Sequence, residues 1–563
     1  MKNTEYMYVD GIPVAINGEK NMLQVIRKTG VKLPTFCYHT DLSIYGACRM
    51  CMVEDERGNL YTACSTPPRA GMSIKTNTAR LRKYRKNILE LLLANHCRDC
   101  TTCANNKSCK LQDLAVRFNI EGVRFPNRAD DNKVTNSSAS IVFDSGKCIL
   151  CGDCVRTCHE VQNVGAIDFA FRGSKMLIST AFGKPLSETM CVGCGQCAVA
   201  CPTGAITARS EIQKVWDAIS NPSVKTVVQV APAVRVALGN MVGIPEGKDV
   251  SGLIFAALRK MGFDEVFDTS FGADITVLEE SKEFLERLKE GKRLPIITSC
   301  CPAWIQYCEK KHPELMENVS TCRSPMEMFA SVIKEERQER GKKLFHVAVM
   351  PCTAKKFEAQ REEFLGKDGS RNVDAVITTD ELTHMLKEAG ILLNEIDPEP
   401  VDHPYDNASG AAVIFGVTGG VTEAVLRNVV KDKSRSALLK LSNVGERGNE
   451  GLKIFELTTE DGVGLRIGVA SGLANAEKLL GMLKNGEKFD IIEIMACPGG
   501  CVAGGGQPFV HAEVRKTRGK GLYDTDRMLS IRHSESNASV QALYDRLLKG
   551  REHELLHVHY KKK

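Results

Sequence analysis

Cys148-Ile149-Leu150-Cys151-Gly152-Asp153-Cys154-Val155-Arg156-Thr157-Cys158 and, further on, Cys191-Val192-Gly193-Cys194-Gly195-Gln196-Cys197-Ala198-Val199-Ala200-Cys201-Pro202 spell one motif twice, C-x2-C-x2-C-x3-C. Four thiolates in so tight a run call for a metal. Zinc accepts four thiolates, but a doubled run of this spacing, closed by a proline, is the pattern of paired 4Fe–4S clusters. In that pattern the fourth cysteine of each run crosses to the other cluster. One cluster is expected to take Cys148, Cys151, Cys154 and Cys201, and its neighbour Cys191, Cys194, Cys197 and Cys158. Residues 138–209 thus read as a bacterial ferredoxin-like domain with two clusters.

The rest of the chain supports the same chemistry. It has 563 residues and 23 cysteines, an odd number that argues against a pure disulfide framework. The start, Met1-Lys2-Asn3-Thr4-Glu5, lacks an apolar signal core, and no apolar run is long enough to cross a bilayer. The expectation is a cytoplasmic protein with reduced thiols and no membrane span. The net charge of +6 is spread among acids, which speaks against nucleic acid as a partner.

Toward the amino terminus, residues 1–78 alternate apolar and polar over Tyr6–Val9 and Val14–Ile16 and read as a small strand-rich domain. It carries Cys37, Cys48, Cys51 and Cys64 as C-x10-C-x2-C-x12-C, a ligand set for one 2Fe–2S cluster, with structural zinc the alternative. Residues 79–126 begin with a basic helical stretch, Arg80–Lys86, that runs into Ile88–Ala94. Next stand His96, Cys100, Cys103 and Cys109 as H-x3-C-x2-C-x5-C, read as a His-ligated 4Fe–4S site with Cys97 a spare. A neutral imidazole in place of a thiolate leaves such a cluster one negative charge poorer.

Beyond a polar linker, about Asn127–Ser138, and the doubled motif, residues 210–563 change to strands alternating with amphipathic helices. Expected strands are Val224–Val230, Pro295–Thr298, Phe345–Met350, Val413–Val417, Leu465–Ala470 and Asp490–Met495. Helices are expected at Val250–Met261, Lys282–Glu290 and Asn475–Leu483. This is an α/β domain, so the fold class is a multidomain α+β chain with ligand sites at strand carboxyl ends. Three cysteine islands fall there: Thr298-Ser299-Cys300-Cys301-Pro302, Met350-Pro351-Cys352-Thr353-Ala354-Lys355-Lys356-Phe357-Glu358, and Met495-Ala496-Cys497-Pro498-Gly499-Gly500-Cys501. The last runs into Gly504-Gly505-Gly506, where missing side chains would let backbone pack closely on a bulky cofactor. Cys308 and Cys322 lie outside the islands and read as buried structural cysteines.

The islands closely resemble the signature motifs of the iron–iron hydrogenases, and the preceding cluster motifs follow the order of that family's longer, clostridial-type members. The resemblance implies an H-cluster, a 4Fe–4S cubane joined to a two-iron unit with CO, cyanide and a bridging dithiolate amine. Cys301, Cys352, Cys497 and Cys501 would ligate the cubane, with Cys501 bridging. Cys300 would relay protons, followed by Glu280, Glu283, Ser320 and, at the surface, Arg287. Lys355 would hydrogen-bond a cyanide, and Pro232, Met350 and Met495 would line the cofactor pocket. From the residues alone, Glu279–Glu286 reads rather as the solvated face of a helix.

Two positions depart from well-known clostridial members: Ala233 stands for a serine and Met326 for a frequent glutamine. The implied activity is reversible conversion of H2 to two protons and two electrons, passed through three accessory 4Fe–4S clusters, one of them His-ligated, and one 2Fe–2S cluster. A hydrogen sensor of low turnover, and an electron-wiring subunit of an NADH or formate dehydrogenase-like complex, are the rival readings; the islands speak against the second. No Gly-rich dinucleotide fingerprint follows a strand and opens a helix. Ferredoxin or a flavin- and NAD(P)-binding partner subunit is therefore the expected electron partner, the latter making this chain the catalytic subunit of an NAD(P)-linked or electron-bifurcating complex, with maturation proteins needed for assembly. Arg80–Lys86 reads either as its docking surface or as a solvated helix face.

Overall fold

The computed structural model describes residues 5–128, 135–337, 342–366, 368–434, 436, 438, 441, 451–459, 462–508 and 512–560. The part of the expected linker at 129–134 lies outside the described residues.

Near the amino terminus, Tyr6–Val9 and Ile12–Ala15 form an antiparallel hairpin across Asp10-Gly11, both at positive φ (50° and 85°), as a tight two-residue turn requires. The hairpin joins Ser73–Lys75, Met52–Asp55 and Leu60–Thr62 in a five-stranded sheet. The helix Met22–Arg27, capped by the Asn21 side chain, lays Met22, Leu23, Val25 and Ile26 on that sheet. The basic stretch belongs to the helix Ala79–Ala94, started by a Thr78 cap. One of its charges is not available to a partner. Arg85 is buried and donates to the carbonyls of Met50, Met52 and Thr76, clamping the helix to the sheet.

In the doubled-motif region, Ile141–Asp144 lies between Ile206–Ala208 and Thr135–Ser137 in a three-stranded sheet. Gly152 and Gly195 occupy equivalent motif positions, and both are left-handed, with φ of 77° and 71°. Each opens a short helix that carries the third cysteine of its run.

Residues beyond 210 build two four-stranded sheets. One is ordered Glu265–Asp268, Val224–Val230, Lys343–Met350, Ala375–Thr378, all parallel. The other is ordered Ile296–Ile297, Ile491–Met495, Gly464–Ser471, Leu452–Thr458, parallel except at its last pair. The strands are short valine- and isoleucine-rich runs, as strands covered on both faces require.

One expected strand is wrong. Val413–Val417 is helical, a turn over Gly410–Val413 that tightens to a 3-10 turn at Ile414–Gly416. A short apolar run does not distinguish a buried helix from a strand; here Ser409 decides, its hydroxyl accepting the Ala412 amide at 3.2 Å as an N-cap. Lys282–Glu290 is the end of a longer helix, Thr269–Glu290, capped by Asp268. Among the described residues no helix is long and apolar enough to cross a membrane.

Candidate active site

Four strand ends meet around one cavity. Ala231, Pro232 and Ala233 enter it after Val224–Val230, Met350 and Cys352 after Lys343–Met350, Cys300 and Cys301 after Ile296–Ile297, and Met495 and Cys497 after Ile491–Met495. Cys501 arrives through Gly499-Gly500. At Gly500 φ is 96° and a Cβ would stand 2.6 Å from the Thr418 amide nitrogen, so only glycine carries the chain there. All five island cysteines, Lys355, Met326, Pro232, Met350 and Met495 line this one space.

Its chemistry is that of a site waiting for positive charge. Burial pushes the Cys352 thiol up to about 12, and pushes up Cys300, Cys301, Cys497 and Cys501 as well. Thiolates this deeply enclosed need a metal to be stable, and much of the remaining wall, including Ala231, Pro232, Ala233, Met326, Met350 and Phe415, is apolar. Lys355 is buried too; burial works against its charge, but Glu358, 2.6 Å from Nζ, keeps it protonated. A cluster of iron with anionic ligands fits this donor set. Two of the glycines after Cys501 are tightly packed on neighbouring backbone: a Cβ on Gly504, which also lines the cavity, would stand 2.1 Å from the Pro351 oxygen, and one on Gly505 2.2 Å from the Cys194 oxygen.

Leading away from Cys300 is a file of buried acids. Glu280 faces the Cys300 thiol electrostatically, with the Ser320 hydroxyl near enough to act on its carboxyl, and its oxygens are buried without a closer partner among the described residues. Burial first, then neighbouring Glu283, pushes its carboxyl up to about 8. Ser320 Oγ donates to Glu283 Oε2 at 3.0 Å, and Arg287 Nη2 donates to Glu283 Oε1 at 2.5 Å. These acids are not a solvated face. Nor is Arg287 a surface residue: it is 1 % exposed. Its guanidinium has four acceptors, Glu283 and the carbonyls of Arg293, Asn318 and Val319, so the helix turns it inward.

The accessory cysteines also gather. Cys148, Cys151, Cys154 and Cys201 line one small cavity, while Cys158, Cys191 and Cys197 line another. Cys194 is close enough to Cys191 and Cys158, and to Cys352 and Cys497 of the large cavity, for an ionised thiolate at one to raise the next. Cys37 faces Cys48, with 3.4 Å between sulfurs, and Cys64, which in turn faces Cys51. His96 Nε2 is buried with no hydrogen-bond partner among the described residues, as a nitrogen kept for a metal would be. Cys100 and Cys103 lie close to each other and to Cys109. The modules are stitched together: Arg156 donates to the Cys37 carbonyl at 3.0 Å, and the Lys110 amide to the Pro202 carbonyl at 3.0 Å.

Glu358 ends the second island without a role read from the sequence, and Thr321 and His557 were missed. Glu358 is the partner of Lys355 three residues on, a helical spacing that could have flagged it. The other two belong to a contact between distant segments and left no local signal.

Residues 224–505 match the family described as iron only hydrogenase large subunit, C-terminal domain, and 512–563 match iron hydrogenase small subunit. Residues 147–205 match a 4Fe-4S dicluster domain, 85–124 the NADH-ubiquinone oxidoreductase-G iron-sulfur binding region, and 6–79 a 2Fe-2S cluster binding domain. The chain is 41% identical to an NADP-reducing hydrogenase subunit of Solidesulfovibrio fructosivorans, over 99% of this chain and 98% of that one. It is 34% identical to iron hydrogenase 1 of Clostridium pasteurianum, over 98% and 99%. Among solved structures, a variant FeFe-hydrogenase from Chlamydomonas reinhardtii superposes with a TM-score of 0.53 at 37% identity, covering 62% of this chain and 99% of that one.

Proposed function

The chain belongs to the iron-only hydrogenase family and is an oxidoreductase that interconverts H2 with protons and electrons; from that premise we propose which of its residues do the work. Cys301, Cys352, Cys497 and Cys501 would hold the H-cluster, with Cys501 the ligand shared between its cubane and its two-iron unit. The convergence of all four on one apolar cavity carries this reading. When bound, the cluster supplies the open metal position and the adjacent base at which H2 is split or formed.

The chain's own residues then position and move charge. Lys355, held charged by Glu358, donates toward the anionic ligands of the two-iron unit, and the apolar wall keeps water away. Ala233 and Met326 leave that wall with less hydrogen bonding than a serine and a glutamine would. Cys300 takes protons between the cavity and Glu280, which is poised near neutrality to accept them. Ser320 links Glu280 to Glu283.

Cys194 lies close to Cys352 and Cys497, on the side where electrons would leave. Cys148, Cys151, Cys154 and Cys201, and Cys191, Cys194, Cys197 and Cys158, would hold the paired 4Fe–4S clusters, His96, Cys100, Cys103 and Cys109 a third, and Cys37, Cys48, Cys51 and Cys64 a 2Fe–2S cluster, together supplying stations for electron relay. Three accessory 4Fe–4S clusters and one 2Fe–2S cluster complete the set. The domains run 1–78, 79–126, 138–209 and 210–563, and the protein works in the cytoplasm.

The partner is ferredoxin or a flavin-bearing subunit that couples to NAD(P), as the name of the Solidesulfovibrio relative suggests. Lys83 and Lys86 of the basic helix, both exposed, would meet it. The test is one preparation, matured anaerobically. Infrared bands of bound CO and cyanide are expected, with H2 evolution from a reduced viologen or ferredoxin and none from NADH or NADPH. Absence of the bands would overturn the cofactor assignment, and NADH-driven evolution by this chain alone would overturn the partner.

A further inference from the structure

A proton that reaches Glu283 needs a way out, and Arg287 does not supply one. Its guanidinium is buried, offers donors and no acceptor, and is already committed to Glu283 and three carbonyls. It can set the position of Glu283 but not take over its proton.

The other side of Glu283 leads elsewhere. Its Oε2 is 3.1 Å from Thr321 Oγ1, and Thr321 Oγ1 is 2.8 Å from His557 Nδ1. His557 Nε2 is 3.1 Å from Glu279 Oε2. Glu279 also accepts from Tyr544 and from Lys282, whose side chain is 58% exposed at the surface. The His557 ring leans on exposed His553, with 4.8 Å between ring centroids. Cys322, 3.9 Å from Glu283 Oε2, is a further titratable neighbour of this junction, as is Glu552 beside Tyr544.

We propose that Thr321, His557 and Glu279 form the outlet by which protons pass between Glu283 and solvent, so that the carboxyl-terminal segment completes the proton route. This rests on the Cys300–Glu280–Glu283 route proposed above. The transfer balances without another reactant. Protonated Glu283 gives its proton to Thr321 Oγ1, and the hydroxyl's own proton moves to His557 Nδ1. Glu283 is left as carboxylate, Thr321 as hydroxyl and His557 as imidazolium. The imidazolium then releases its Nε2 proton to Glu279, which yields it to water beside Lys282. For H2 oxidation the file runs outward; for evolution each step reverses. A histidine suits the middle position because its two nitrogens can take a proton on one side and lose one on the other.

The same contacts could only tether the carboxyl-terminal segment, so the experiment separates a tether from a relay. In the matured holoenzyme, His557→Gln and Thr321→Val are each expected to lose about a hundredfold in H2 turnover at pH 7 while the infrared bands of the cofactor stay unchanged. Thr321→Ser, which keeps the hydroxyl, should work like the parent protein. Added imidazole should restore turnover to His557→Gln and not to Thr321→Val. Parent-like turnover in either of these two variants would overturn the outlet, as would a loss that imidazole does not relieve in His557→Gln. If His557→Gln fails to fold, the contrast between Thr321→Val and Thr321→Ser decides. Cys300→Ala, run alongside, separates the two readings. An inactive Cys300→Ala with a fully active His557→Gln sinks only the outlet, whereas an active Cys300→Ala sinks the route upstream.

Discussion

Gly505 packs against Cys194 so closely that a Cβ on the glycine would stand 2.2 Å from the cysteine's carbonyl oxygen and 2.7 Å from Gly195 Cα. The loop that follows Cys501 is thereby pressed on the loop of the paired-cluster domain that lies next to Cys352 and Cys497. Both sides of the contact are backbone, so neither can yield as a flexible side chain would. Gly505→Ala should force the loops apart and cost about 1–3 kcal/mol of stability. Hydrogen–deuterium exchange at the active site should persist while viologen- and ferredoxin-linked turnover falls together. Equal loss of exchange and of electron transfer would show that the contact shapes the cavity and not the junction.

Arg287 and Glu283 form a buried ion pair at 2.5 Å, with side-chain exposures of 1% and 10%. Removing one member of such a pair strands the other charge. Arg287→Met should therefore lower unfolding stability by about 3 kcal/mol, and adding Glu283→Gln should recover much of the loss. A surface arginine would show neither effect, so denaturant titration of the two variants tests the inward placement directly.

The cysteine clusters were readable in the sequence because metal ligands supplied by one loop must recur at fixed short spacings. The sheets were readable because strands such as Val224–Val230 and Ile491–Met495 are nearly unbroken apolar runs. Val413–Val417 was misread because the same apolarity serves a buried helix, and its Ser409 cap lay just outside the run. The direction in which Arg287 points was hidden, since it depends on carbonyls of Asn318 and Val319 that only the tertiary fold brings near. The contact of His557 with Glu279 spans 278 residues of sequence and left no trace in any local pattern.

Glu280 links pH to stability as well as to turnover. Its folded carboxyl is raised by burial, with Glu283 adding to it, to about 8, while an unfolded glutamate titrates at about 4.3. Between those values the folded chain binds the extra proton, so this residue's contribution is fully present below the unfolded value and is lost as pH rises toward 8. Glu280→Gln should flatten the fall in melting temperature between pH 5 and 8. It should also slow turnover sharply, because an amide does not pass protons as a carboxyl does. A variant whose stability falls with pH as steeply as the parent's would show that Glu280 is ionised in the fold.

The His96 assignment makes a prediction about charge. Its Nε2 is buried and has no hydrogen-bond partner among the described residues, and burial itself, with Lys147 adding to it, holds the ring's pKa below the usual value. A neutral imidazole is thus the form the fold prefers, and a neutral imidazole is what a metal ligand must be. Replacing it with a thiolate adds one negative charge to the cluster and favours its oxidised state. His96→Cys should therefore keep the iron content and lower the reduction potential of one 4Fe–4S signal in an EPR-monitored titration. The potentials of the other clusters should stay put, because the added charge sits in one module. His96→Ala, which offers no ligand, should instead lose that signal alone. If His96→Cys leaves every potential unchanged and His96→Ala keeps every signal, the histidine is a packed core residue and a different side chain completes the site.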